Sequence, residues 1–253
     1  MAESTNLMYP TFTNILHISR SNLQARLYNL DIISNDLANV NTTGYKSARG
    51  NFQELLNDSL QNSGVKLDST QRIMTQGSMQ DSDSPYHMAI QGDGFFAVTL
   101  PDGRTAYTRD GTFGLDANRK IVNANGYPLL WSGQIPANTD EVQVTPAGHV
   151  MVHQNGTWTD AGTIKLYRFA NPSGFSAYGK NQFLATDASG AAQAGNPGAG
   201  GYGEVISYMR ENSNVNLGEE MTDMIITQRG FQVSMRAFQQ TDQMLSLALA
   251  LRR

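Results

Sequence analysis

Apolar residues recur every seven positions at both ends of the chain, and short apolar runs separated by turn signals fill the middle. Leu16, Leu23, Leu30 and Leu37 form one row, flanked by Phe12, Ile15, Leu27, Ile33 and Val40. A seven-residue repeat keeps one stripe of a helix facing a partner along its whole length. Tyr9-Pro10 suits a helix entry, because the N–H that proline lacks has no intrahelical partner in the first turn. The pattern therefore predicts a helix over residues 11–39, roughly 40 Å long at 1.5 Å per residue. Met224, Phe231, Phe238 and Leu245 form a second row, with Leu217, Met221, Met235 and Leu249 beside it. Two rows of similar length are most simply partners in an antiparallel coiled coil. Gly230 weakens the second helix by about 1 kcal/mol relative to alanine, and its presence there predicts close packing or slight flexure.

The stretch 34–46, Ser-Asn-Asp-Leu-Ala-Asn-Val-Asn-Thr-Thr-Gly-Tyr-Lys, ends the first helix. Asn and Thr compete for backbone hydrogen bonds, and glycine readily takes the left-handed conformation that closes a helix. Near the other end, Asn212-Ser213-Asn214-Val215-Asn216 leads into the second helix, and Glu219 stands three residues after Asn216 as in a capping box. Residues 47–77 are polar apart from Phe52 to Leu56 and have little periodicity. They read as an extended linker and interaction segment with a short helical or packed start, since so long a loop in a compact domain needs a function.

From residue 87 to 210 the periodicity shortens. Gly94-Phe95-Phe96-Ala97-Val98-Thr99-Leu100 precedes Pro101-Asp102-Gly103, and Arg104-Thr105-Ala106-Tyr107-Thr108-Arg109 precedes Asp110-Gly111. These are hairpin signals, because glycine supplies the positive φ of tight turns. Further strand-like runs are 120–123, 142–145, 149–154, 163–169, 182–186 and 204–209, with a Gly/Ala-rich flexible loop at 190–203. Phe95, Phe96, Tyr107, Phe113, Trp131 and Trp158 supply a core. The fold class is thus α+β: long N- and C-terminal helices, paired as an antiparallel coiled coil, with an inserted all-β central domain. The domains are 1–46 with 212–253, the linker 47–77 and the β-rich outer domain 78–211.

Composition narrows the function. A net charge of −4 without any basic run argues against a nucleic-acid binder, which needs clustered cations to neutralise phosphates. The absence of cysteine excludes disulfides, thiolate metal sites and a cysteine nucleophile. No cleavable secretory signal is visible at the N-terminus, and the apolar stretch 245–251 is far short of the ~20 residues that span a bilayer. Residues 1–46 and 213–253 are each formally neutral, so the whole −4 lies between them. Neutral segments stack in a polymer without mutual repulsion.

Candidate chemistry is sparse. His149 and His153 fall on a strand, which separates them along one face and leaves no third ligand. Asp81 and Asp83 begin a calcium-loop pattern, but Pro85 interrupts it and the glycine and terminal glutamate are missing. Glu219 and Glu220 point about 100° apart on a helix and are better explained by the dipole of its first turn than as a glycosidase pair. Gly92-Asp93-Gly94 lacks the third glycine and the helix of a dinucleotide site. No catalytic residue, metal site or cofactor is expected, and the chemistry of this chain is association.

Residues 36–46, together with Ser213-Asn214-Val215-Asn216 and Glu219-Glu220-Met221, closely resemble the terminal signatures of bacterial flagellar rod and hook proteins. Gly92-Asp93-Gly94-Phe95-Phe96-Ala97-Val98, Tyr107-Thr108-Arg109-Asp110-Gly111-Thr112-Phe113, Gln228-Arg229 with Phe231, and Asp242-Gln243-Met244-Leu245 look like further motifs of that family. The resemblance implies an axial tube of paired terminal helices with the β domain outside it. It also implies export by the flagellar type III apparatus without a cleaved signal, and a place in the periplasmic rod of the basal body. Partners would be further copies in a helical homopolymer, other rod and hook proteins, the export apparatus and the surrounding P and L ring proteins, with no nucleic acid and no membrane span. The assembly interface would comprise Leu16, Leu23, Leu30, Leu37, Asn39, Asn41, Thr42, Gly44, Met224, Phe231, Phe238 and Leu245. Within the family the pattern is closest to the distal rod branch. The connection after Phe52 is shorter than that branch leads one to expect, which keeps a proximal rod or hook-basal-body paralogue as the alternative. A periplasmic cell-wall enzyme is the rival from another class.

Overall fold

A computed structural model describes residues 8–55 and 64–250, and the side chains of residues 8–15, 54, 55, 245, 248 and 249 fall outside the description. The chain divides into two compact units: one takes residues up to Ala38, Ala48–Arg72 and the chain from Asn216 onward, the other Asn39–Ser47 and Ile73–Val215.

The first unit contains both long helices, α1 (Met8–Ala38) and α2 (Leu217–Ala250). Asn216 caps α2: its Oδ1 accepts from Gly218 N at 3.1 Å, and its carbonyl accepts the first helical bond from Glu220 N at 3.0 Å. Glu219 and Glu220 fall in the first turn, where the helix dipole favours negative charge. The helices touch. A Cβ on Gly230 would come 2.3 Å from Arg26 Nη1, so the guanidinium lies against bare helix backbone there, which is the close packing its position predicts. Asn29 Nδ2 donates to Thr227 Oγ1 at 3.3 Å, and the charge of Asp36 reaches Glu220.

The linker reading fails for the described part of residues 47–77. Strands β1 (Ala48–Leu55) and β2 (Gly64–Arg72) pair antiparallel from Ala48 with Arg72 to Leu55 with Gly64, with an irregularity between Asn51 and Phe52. Among the described residues of this segment no helix occurs. The hairpin carries few apolar residues, and even Phe52 is 39% exposed, so the alternation that marks a half-buried strand is missing from its sequence. Backbone pairing, with contacts to α1 such as Ser21 Oγ to the Val65 carbonyl, defines it instead.

The second unit is built from short strands: β3 (Met79–Asp81), β4 (Met88–Gln91), β5 (Phe96–Thr99), β6 (Thr105–Thr108), β7 (Phe113–Leu115), β8 (Ile121–Asn123), β9 (Glu141–Val144), β10 (His149–Gln154), β11 (Thr157–Thr163), β12 (Leu166–Arg168), β13 (Ser176–Gly179), β14 (Gln182–Leu184), β15 (Gln193–Gly195), β16 (Glu204–Ser207) and β17 (Met209–Glu211). The larger sheets have the orders β13-β14-β6-β5 and β11-β10-β9, and the pairs β16-β4, β17-β3, β12-β15 and β7-β8 surround them. The strand β15 lies inside the segment read as a flexible loop. Alternation places Val142, Val144, Val150 and Val152 on the inner face of β9 and β10. They join Met88, Ile90, Phe96, Val98, Phe113, Ile121, Ile164, Leu166 and Val205 in one core. A second cluster stacks Phe95, Tyr107 and Phe169 edge to face, with centroids 4.7 Å apart for Tyr107 and Phe169.

Trp158 does not join either core. It is 44% exposed on the edge strand β11, with its ring 5.1 Å from that of His153, while Trp131 is partly buried against the main core. A strand edge leaves one flank of even a large aromatic in water.

Candidate assembly site

In the first unit, Leu16, Leu23, Leu30 and Leu37 are all half-buried, as are Met224, Phe231 and Phe238. The side chain of Leu245 lies outside the described residues, as do those of Phe12, Ile15 and Leu249. Among the described residues the buried positions are Ala25, Ile33 and Asp36 on α1, and Thr227 and Thr241 on α2. Leu217, Met221, Ile225, Ile226, Val233 and Leu247 are at least half exposed, which leaves much of the apolar surface of α2 open. Asp36 is engaged locally, its carboxylate accepting from Ala48 N at 3.0 and 3.2 Å. Partial burial raises the Glu220 carboxyl above its usual range, and the neighbouring charges of Asp36, Asp223 and Glu219 raise it further.

The Asn-rich turn after α1 belongs to the second unit. Thr42 N donates to the Asn39 carbonyl at 3.0 Å and Thr42 Oγ1 to Asn39 Oδ1 at 3.1 Å, which turns the chain. Asn41 is exposed. Gly44 is buried at φ +66°, its N–H donating to the Glu211 carbonyl at 2.7 Å, and an added Cβ would lie 2.5 Å from Asp110 N. Only glycine combines that φ with so close an approach.

Behind the turn lies an ionic cluster that sequence reasoning missed. Lys46 Nζ meets Glu211 Oε1 at 2.5 Å, and it also donates to the Thr75 carbonyl at 2.6 Å. Arg109 Nη1 lies 3.4 Å from Glu211 Oε2, Arg109 Nη2 donates to the Gly92 carbonyl at 2.9 Å, and its guanidinium carbon sits 5.1 Å from the centroid of Phe95. Glu211 Oε1 also accepts from Gly77 N at 2.9 Å. Lys46, Arg109 and Glu211 are all buried. Burial lowers the pKa of the Lys46 ammonium and the charge of Glu211 opposes that shift; burial likewise lowers the Arg109 guanidinium. Beside Arg109, burial pushes the Asp110 carboxyl up against the hydrogen bonds from Thr112.

Asn214 completes the arrangement. Its Oδ1 accepts from Ser47 N at 2.7 Å, its Nδ2 donates to the Ile73 carbonyl at 2.9 Å, and its own N–H reaches the Tyr45 carbonyl at 3.3 Å. Residues from the turn after α1, the middle of the chain and the last strand thus meet in one buried cluster, and the segments that enter and leave the second unit are held side by side. Lys46 was counted in the sequence only as a formal charge. The signal that could have found the cluster was a cation within each of two motif segments of a chain in which only 16% of residues are charged.

The histidines do other work. His149 Nδ1 lies 2.9 Å from Asp160 Oδ2, and the His153 ring packs against Trp158 at a tilt of 51°. Among the described residues no group of three or more His, Cys, Asp or Glu side chains is placed to hold a metal, and no helix is long and apolar enough to cross a membrane.

Two long terminal helices in one unit and short strands in the other define a class, and comparison with known proteins assigns it. Three family models match in chain order: "Flagella basal body rod protein" over residues 16–46, "Flagellar hook protein FlgE/F/G D1 domain" over 89–152, and "Flagellar basal body rod FlgEFG protein C-terminal" over 207–251. The chain is 37% identical to the flagellar basal-body rod protein FlgG of Borreliella burgdorferi, across 94% of this chain and 98% of that protein. It is 38% identical to FlgG of Buchnera aphidicola subsp. Acyrthosiphon pisum across 91% of this chain and 96% of the relative, and 30% identical to the rod protein FlgF of Mesorhizobium japonicum across 89% and 92%. The chain belongs to the flagellar basal-body rod protein family.

Proposed function

We propose that the chain is a structural subunit of the flagellar basal-body rod, of the distal type, which polymerises through its terminal helices into the axial shaft that carries torque to the hook. The observation that carries this reading is the end-to-end similarity to FlgG proteins, 37% over 94% of the chain. The lower identity to FlgF favours the distal branch over a proximal paralogue. The helices pair as an antiparallel coiled coil: Arg26 with Gly230, Asn29 with Thr227 and Asp36 with Glu220 form a series in which one number falls as the other rises, which supports that direction. Leu16, Leu23, Leu30 and Leu37, with Met224, Phe231, Phe238 and Leu245, form the seam, and the exposed apolar residues of α2 meet neighbouring subunits. Asn39, Asn41, Thr42 and Gly44 shape the turn that joins the seam to the outer unit. The subunit reaches the periplasm through the flagellar type III apparatus, joins other rod and hook proteins, and is surrounded by the P and L rings.

Deletion of the chain from its host tests the proposal. Isolated basal bodies should end in truncated rods without hooks, and antibody against the chain should label the rod of the parent strain. Complete rods in the deletion strain, or turnover of peptidoglycan by the purified chain, would overturn it.

A further inference from the structure

A half-enclosed cavity of about 440 Å³ in the second unit is lined by Thr99, Arg119, Lys120, Pro128, Trp131 and Gln134, with Leu129 and Gly133 completing its wall. Its chemistry is polarised. Its lining combines two cations with an indole and a proline, and no carboxylate contributes to it. Among the described residues neither cation lies within 4.0 Å of a carboxylate.

The site is preorganised. Arg119 takes φ +61°, a conformation that a long side chain rarely adopts, so the surrounding turn must enforce it. Asp116 does so: its carbonyl accepts from Arg119 N at 3.0 Å and its Oδ1 from Lys120 N at 2.7 Å, which also directs that carboxylate onto the backbone. Arg119 Nη1 donates to the Ala137 carbonyl, while its Nε is buried without a partner. Trp131 is fixed from the other side: a Cβ on Gly133 would come 2.3 Å from Trp131 Cζ3, so the indole lies on bare backbone.

We propose that this cavity docks an acidic peptide segment of a partner protein, with a carboxylate on Arg119 and Lys120 and an adjoining apolar side chain against Trp131. A guanidinium matches a carboxylate in shape as well as charge, and Trp and Arg are both among the residues enriched at the energetic centres of interfaces. Charge complementarity selects an acidic partner, and the apolar wall selects a peptide over a bare anion. The proposal is independent of whether the chain builds the distal or the proximal rod.

The chain has two tryptophans, so Trp158→Phe on the exposed edge strand leaves Trp131 as the sole indole reporter in the full-length protein. The probe is an acetylated, amidated pentapeptide of three glutamates, one leucine and one aspartate. Its controls are the same peptide with every acid replaced by its amide, and inorganic phosphate at matched ionic strength. The expected result is a saturable change in Trp131 emission with the acidic peptide, at least tenfold weaker with the amide control or in Arg119→Gln, and reduced in Lys120→Gln. Circular dichroism verifies that each variant is folded, and the exposed Lys120→Gln carries the test if Arg119→Gln is not. No saturable change, an equal response to the amide control, or full reproduction of the response by phosphate would overturn the proposal.

Discussion

Lys46 Nζ lies 2.5 Å from Glu211 Oε1, both side chains fully buried, although 165 positions separate them in the chain. The pair has further partners in Thr75 and Gly77 of the intervening chain and in Arg109, which is what makes a buried charge tolerable. Its position joins the turn after the first helix to the strand before the second.

Glu211→Gln keeps the shape of the side chain but leaves two buried cations without their counter-charge. The expected loss is about 3–5 kcal/mol, read from the urea midpoint of the full chain. Lys46→Met in the same background should recover part of that loss, because it removes one of the stranded cations. An unchanged midpoint in Glu211→Gln would show that the cluster does not hold the unit together.

The same cluster sets where the second unit can be cut. A fragment of residues 78–210 looks sufficient from turn chemistry and aromatic content, but it lacks Lys46, Thr75, Gly77 and Glu211 and leaves Arg109 buried without its carboxylate. That fragment should show no cooperative melt. A circular dichroism melt should be cooperative when residues 39–47 are supplied by a linker to residues 73–215, the set that forms the compact unit. Equal cooperativity in both would contradict the role given to the cluster.

The two helices, their inner boundaries and the β-rich middle were legible because heptad spacing and glycine turns are local signals. α1 ends at Ala38 and α2 begins at Leu217, next to the Asn-rich stretches that predict those boundaries. The hairpin of β1 and β2 was not legible, since its polar residues lack any alternation and its pairing is a property of backbone. The ionic cluster was hidden for a different reason: a buried lysine and a solvated one look alike in sequence, and only the fold brings residues 46, 109 and 211 together. Trp158 misled because aromatic content says nothing about whether a strand is central or at an edge.

Glu220 gives the helical unit a pH dependence of known sign. Its carboxyl is raised by partial burial and by Asp36, Asp223 and Glu219, so the folded state holds the proton more tightly than the unfolded chain. That contribution to stability is fully present below the ordinary glutamate value of about 4.5 and is lost as pH rises through the folded value above it. Helix melting monitored at 222 nm should shift to lower temperature as pH rises through that window. Glu220→Gln, which cannot ionise, should reduce the shift; an equal shift in the variant would assign it to other groups.

Assembly through the terminal helices is tested most directly by placing a charge on each row. Leu30→Asp and Phe231→Asp put an aspartate where apolar side chains are expected to close against one another, at a cost of several kcal/mol if the charge is unpaired. The second unit, whose cores and ionic cluster contain neither residue, should stay folded in both variants. Basal bodies isolated from cells carrying either substitution should lack a complete rod when imaged by electron microscopy, although the subunit is exported. Complete rods and normal motility in both variants would contradict the account.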